Sequence, residues 1–315
     1  MSLITDNLEL TEDFIGGFDK LAKKTQDEIL KVILDKLTIL SVKKGTLVFD
    51  DNSSTEINEL IKQVYREFDF EKYQGEISGL LRDVDSIGKA TIELTASLTP
   101  EVSDIDFTAQ KKFIINEISE RLATPESFKV NILGDVRRII ARRLLTQAPI
   151  RQLKEDLIDS LTASAANGGI LGRYVNQITT DAVQQYKGSV NRAIKEKFDL
   201  DAYSYVGSLI KTSRPQCVRW INEFSGVLMI DERVKGFGYL PAEVEWAKKN
   251  GSGYGTPGKP YYLELTVDNF QTVRGGYACR HEATPFRMTE RAKARTQRLQ
   301  KEFDEEMRRL NIQAA

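Results

Sequence analysis

The chain is poor in the residues that staple small folds and bind metals. It has two cysteines and one histidine in 315 residues. That excludes a disulfide framework and makes a reducing compartment the expected setting. Charge of one sign is also missing: 45 lysines and arginines stand against 46 aspartates and glutamates. The molecule is not a polycation, so any contact with nucleic acid has to come from a local patch. No apolar run is long enough to span a bilayer, and no membrane partner is expected. The opening residues, MSLITDNLELTEDF, lack the basic stretch and apolar run of a secretory signal.

What is present is the balance of a globular protein, 41% hydrophobic and 29% charged, long enough for one or two domains with a sizeable core. The first half reads as successive helices. Phe14, Phe18, Leu21, Ile29, Ile33, Leu37 and Leu40 recur at helical spacing. VKKGTLVF is rich in β-formers and predicts a short strand or hairpin. Ser53 and Glu56 have the spacing of a capping box, ahead of a face made by Ile57, Leu60, Ile61, Val64 and Phe68. A helix is expected over residues 77–98, stopping at Thr99-Pro100. Another is expected after Thr124 as N-cap, with Pro125 at its first position.

Thr162 to Gly169, TASAANGG, is the best boundary. A long amphipathic helix follows, with Leu171, Val175, Ile178, Ala182, Tyr186, Val190, Ile194 and Phe198 on one face. From Asp201 to Phe286 the chain becomes rich in Gly, Pro, Tyr and Trp, with short β-prone runs such as YSYVGSLI, GVLMI and YYLELTV. The last segment returns to helix. Its narrow stripe of Met288, Ala292, Arg295, Leu299, Phe303 and Leu310 suits docking, above all Leu299, Phe303 and Leu310. The expected fold class is therefore α+β and predominantly helical. Its parts are a helical domain over 1–165, a small α+β domain over 166–286 and a C-terminal amphipathic helix over 287–315.

Three groups of residues carry chemistry. Cys217, Cys279 and His281 form a candidate metal set, but zinc sites usually have four such ligands when structural, and three plus water when catalytic. Cys279 and His281 share a face if extended, which makes a thiol–imidazole pair conceivable, although a catalytic thiol needs a base positioned to activate it. The third reading is packed thiols that close the domain, with Cys217 against Cys279. Gly275 and Gly276 permit a tight turn beside them. The Gly-rich run NGSGYGTPGKP lacks the order of a phosphate loop and reads as a plain loop. The second group is basic: Arg137, Arg138, Arg142 and Arg143 on one helix, then Arg291 and Arg295 on the last. These are solvated, ion-paired faces, or contacts to DNA phosphates or a partner.

The order of these features resembles the phage head morphogenesis family, the Mu-like minor head proteins, over about residues 150–287. TSRPQC carries Arg214 and Cys217 in a turn, with Ser213 where the family often has an acidic residue or threonine. GGYACRHEATP carries Cys279, Arg280, His281 and Pro285 of the closing segment. Gly275-Gly276-Tyr277 stands where the family's histidine–proline is often found. The resemblance implies a minor structural protein of a tailed-phage head, near the portal vertex, acting in head assembly and genome packaging or delivery. It implies contact with portal and other head proteins, and viral DNA as a further candidate partner. The location implied is the virion, reached from the host cytoplasm during assembly. Cys217, Cys279, Arg280 and His281 then form a structural corner, with neither catalysis nor cofactor expected. The alternatives are a non-specific DNA-binding accessory protein of the virion and a metal- or thiol-dependent enzyme.

Overall fold

The structure, a computed structural model, describes residues 3–103, 105–162, 169–209, 213–222, 226–229, 241–250, 269–273, 279 and 281–313. The fold is predominantly helical α+β. Its residues group into two compact units. One, the helical unit, comprises Glu12–Asp83 and Ile115–Thr179; the other, the sheet unit, comprises Met1–Thr11, Val84–Ile114 and Thr180–Ala315. The grouping interleaves along the chain, whereas the sequence reading divides it in order, near residues 165 and 286.

The helical unit is built from apolar stripes at helical spacing. Helix α1 (Leu3–Lys36) and the short turn after it bury Phe14, Phe18, Leu21, Ile29, Ile33, Leu37 and Leu40. A hairpin of β1 (Val42–Lys43) and β2 (Thr46–Leu47) follows. Positive φ at Lys44 and Gly45 gives it the two-residue turn whose twist matches its strands. Helix α2 (Ser53–Glu67) buries Ile57, Leu60 and Val64. The capping box expected at its start does not form. Asn52 holds the cap position, and the Glu56 carboxylate accepts hydrogen bonds from the backbone N–H and the hydroxyl of Ser41. A through-space donor has outcompeted the local one.

The helix expected over 77–98 is two helices, α3 (Phe70–Leu80) and α4 (Val84–Leu98), joined by a tight turn at Leu81–Asp83. After α5 (Thr108–Leu122), Thr124 caps α6 (Pro125–Phe128), accepting from the Ser127 N–H at 3.2 Å. A π-helical turn, Lys129–Leu133, leads into α7 (Gly134–Leu145), and α8 (Ile150–Thr162) follows. Phe128 is the hub of an aromatic cluster. It stacks on Phe68 at 4.7 Å between centroids and meets Phe70, Tyr73 and Tyr65 at 5.6–6.4 Å.

Helix α9 (Gly169–Phe198) runs from the helical unit into the sheet unit and is buried on nearly every side over residues 178–191. Tyr186, Val190 and Ile194 are buried as the pattern expects, but so are Asp181, Gln184, Lys187 and Asn191. Phe198, read as part of the apolar face, is only half-buried. Among the described residues, strand β3 (Ala202–Val206) is central in a three-stranded antiparallel sheet, between β4 (Val227–Met229) and β5 (Glu282–Phe286). The register sets Tyr203 opposite Leu228 and Pro285, and Tyr205 opposite Ala283. Pro285 has no N–H to give, and β5 is an edge strand among the described residues, a place that tolerates this. Short helices α10 (Pro215–Asn222), α11 (Pro241–Asn250) and α12 (Phe270–Val273) lie between strands in sequence. YYLELTV falls outside the described residues. Helix α13 (Glu290–Gln313) closes the chain, with Met288 and Ala292 packed against Ala202.

Candidate functional site: a buried thiol, imidazole and phenol cluster

Strand alternation places Tyr203 and Tyr205 on one face of β3 and Ala202 on the other. Tyr205 meets the Trp220 ring edge-on at 5.1 Å and lies parallel to the His281 ring at 5.3 Å. Phe270 packs against Tyr203 and Trp220 at 5.0 and 5.6 Å. Tyr205 and His281 are the members of this aromatic group that meet the two thiols. The Tyr205 Oη lies 3.2 Å from Cys217 Sγ and 3.7 Å from Cys279 Sγ. Cys279 Sγ lies 3.5 Å from His281 Nδ1. The donor atoms of Cys217, Cys279 and His281 are all within 4.8 Å of one another, and all three side chains are buried.

Local structure explains the convergence. The sequence places Cys217 in a turn; it sits instead in the first turn of α10, because Pro215 is accommodated at a helix start and fixes the backbone there. Cys279 and His281, two residues apart, lead into β5 and reach the same cluster. Two glycines let the backbone close in. At Gly226, with φ +69°, a Cβ would stand 2.5 Å from the Tyr205 carbonyl oxygen. At Gly207, with φ +154°, it would stand 2.5 Å from the His281 ring. The Cys217 thiol is pushed well above its ordinary range, first by the hydrogen-bonded Cys279 thiol and then by burial. Burial, followed by the two thiols, pushes the Tyr205 phenol well up as well.

A second buried polar group adjoins the sheet. Lys187 Nζ lies 2.6 Å from Glu282 Oε2, with both side chains 4% exposed or less. It also donates to Asn7 Oδ1 and, at 3.3 Å, to Thr11 Oγ1. Asn191 donates to the Ala283 carbonyl at 3.1 Å. Arg219, on α10, makes a two-pronged ion pair with Glu243 of α11, both contacts at 2.9 Å. Sequence reasoning missed Tyr205, Lys187, Glu282, Arg219 and Glu243. Only Tyr205 left a signal, the alternation of AYSYV.

The other candidates fare unevenly. Arg280, Gly275 and Gly276 lie outside the described residues, as do the side chains of Leu299, Phe303 and Leu310. Arg291 and Arg295 are exposed on α13. On α7, Arg143 is drawn into an ion pair with Asp156 and Arg138 into one with Asp135. Arg137, Arg138 and Arg142 stay exposed. Arg138 and Arg142 join Arg173 and Ser160 along an open cavity of about 470 Å³, where Asp135 and Asp159 offset their charge. No helix among the described residues is long and apolar enough to cross a membrane. Comparison with known protein families, with curated proteins and with solved structures finds no match to this chain.

Proposed function

We propose that this chain is a minor structural protein of a tailed-phage head, bound near the portal vertex and acting in head assembly and genome packaging or delivery. One observation carries the reading. The two segments on which the resemblance rests, around Cys217 and around Cys279–His281, meet on Tyr205. A pair of motifs that closes one small domain has to converge in this way; two unrelated short matches need not. The cluster's burial fits a domain-closing corner, since Cys217, Cys279 and His281 are 5% exposed or less and offer no surface to a substrate. Portal and other head proteins are the partners of this reading, and the virion head is its location. Mass spectrometry and imaging of particles made with and without the protein test it. Few copies per head, co-purification with portal, and defective heads in its absence are expected. Normal infectious heads lacking the protein refute it.

A second reading, sequence-indifferent DNA contact, is favoured by the exposed Arg137, Arg138 and Arg142 on α7. Phosphate contacts of this kind release counterions, so binding weakens as salt rises. Neutralising these three residues abolishes salt-sensitive retention on DNA if the reading holds, and leaves it unchanged if it does not.

A further inference from the structure

We propose that Cys217, Cys279 and His281 hold one zinc-class divalent ion, with the Tyr205 hydroxyl at the fourth corner, and that the ion locks α10 to the lead-in of β5. The inference stands apart from the virion reading and survives or fails without it.

Ligand chemistry comes first. Two sulfurs and an imidazole nitrogen are the soft-to-borderline set that favours zinc over calcium or magnesium, which take oxygen ligands. Geometry comes second. A tetrahedral ion about 2.3 Å from sulfur and about 2.0–2.1 Å from nitrogen sets its sulfur and nitrogen about 3.5 Å apart. Cys279 Sγ and His281 Nδ1 are 3.5 Å apart. A ligand oxygen about 2.0–2.2 Å from the same ion stands about 3.5–3.7 Å from each sulfur. The Tyr205 Oη, at 3.2 and 3.7 Å from the two sulfurs, brackets that separation. All the donor atoms of the three residues fall within 4.8 Å of one another, so an ion reaches them with small side-chain adjustments.

Support around the donors comes third. His281 is fixed by the parallel Tyr205 ring and by the bare backbone of Gly207. Tyr205 is fixed in the central strand by Trp220 and by Gly226. Ligands held by a helix, a strand and a strand lead-in are positioned by the fold rather than by a floppy loop. Binding replaces the two thiol protons, which leave to solvent, and yields two thiolates on the ion with no change of oxidation state. A disulfide between the same sulfurs and a plain packed-thiol corner are the competing states, and both are distinguishable from a metal site.

The test uses the full chain, expressed in zinc-supplemented medium and purified without chelator or reductant. Elemental analysis is expected to give close to one zinc per chain, as a site with these ligands requires. Treating the folded protein with a mercurial thiol reagent is expected to release that zinc in step with modification of the two thiols, read by a chromogenic chelator. After replacement by cobalt(II), the visible bands of a tetrahedral ion and a thiolate charge-transfer band are expected. Cys217→Ser and Cys279→Ser are expected to lose the metal. Should these variants fail to fold, the wild-type stoichiometry and mercurial release decide the matter alone. Tyr205→Phe keeps the packing; it is expected to retain the charge-transfer band, alter the visible bands and weaken zinc binding about 10–100-fold. Metal-free protein with two free thiols overturns the proposal, as does a Cys217–Cys279 disulfide. An unaltered cobalt spectrum in Tyr205→Phe overturns the place given to the phenol.

Discussion

In the helical unit, Phe128 stacks on Phe68 and is ringed by Phe70, Tyr73 and Tyr65. In the sheet unit the comparable central positions hold Lys187 against Glu282, Arg219 against Glu243, and two thiols against a phenol. The first interior is held by non-directional burial, proportional to apolar area and tolerant of imperfect angles. The second also depends on partners that must meet within hydrogen-bond distance, and each partner that fails to arrive leaves a buried polar group at high cost. Cohesion in the helical unit is thus spread over many apolar contacts, whereas the sheet unit adds to an apolar core of its own a few polar pairs that must all be made.

The sharpest way to break this contrast is to truncate the hub of each. Phe128→Ala is expected to lower stability by about 3–5 kcal/mol in equilibrium denaturation, the usual cost of emptying a packed aromatic site. No second substitution at a neighbouring ring is expected to restore it. Lys187→Met is expected to lose about 3–5 kcal/mol, because Glu282 is left as an uncompensated buried charge. Here a second change does help: adding Glu282→Leu is expected to recover more than half of the loss. If the double variant is no better than the single, directional pairing is not what holds the sheet unit.

A smaller effect is expected at the α6 cap. Thr124→Ala removes the side-chain acceptor of the Ser127 N–H and is expected to cost about 1 kcal/mol. The smallest effect concerns pH. Lys111 first, then Lys89, hold the Asp85 carboxyl down to about 2, against an ordinary 3.8. A lowered folded-state pKa adds stability above the unfolded value, and this is lost as pH falls from about 3.8 towards about 2. Asp85→Asn is expected to flatten the stability profile in that window and to lower its plateau near neutrality slightly, by the small amount that a solvated ion pair contributes. A carboxyl NMR titration that places Asp85 at its ordinary value removes this prediction.

The same contrast explains what could be read from residue order. Phe14, Phe18, Ile29, Ile33, Leu60 and Val64 announce their burial by spacing alone, and all are buried. Thr124 and Pro125 announce a helix start by their identities. Lys187 carries no such mark. Its partners are Asn7 and Glu282, each nearly a hundred residues away or more, and a lysine on an amphipathic helix ordinarily reads as solvated. Glu56 shows the same failure at short range, because its partner Ser41 lies upstream of the motif it imitates. Of the candidate site, Cys217, Cys279 and His281 were legible as scarce residue types. Tyr205, which brings them together, was one tyrosine among eleven.

The interleaved grouping also sets an order of events on the ribosome. Every residue of the helical unit has been synthesised by Thr179, so that unit can begin to condense while the rest of the chain is still being made. The first eleven residues are made earliest of all, yet Asn7 has to wait for Lys187, and Lys187 in turn for Glu282. A ribosome stalled near residue 270 therefore presents a helical unit with every residue made and a sheet unit whose Lys187 still lacks its counter-ion.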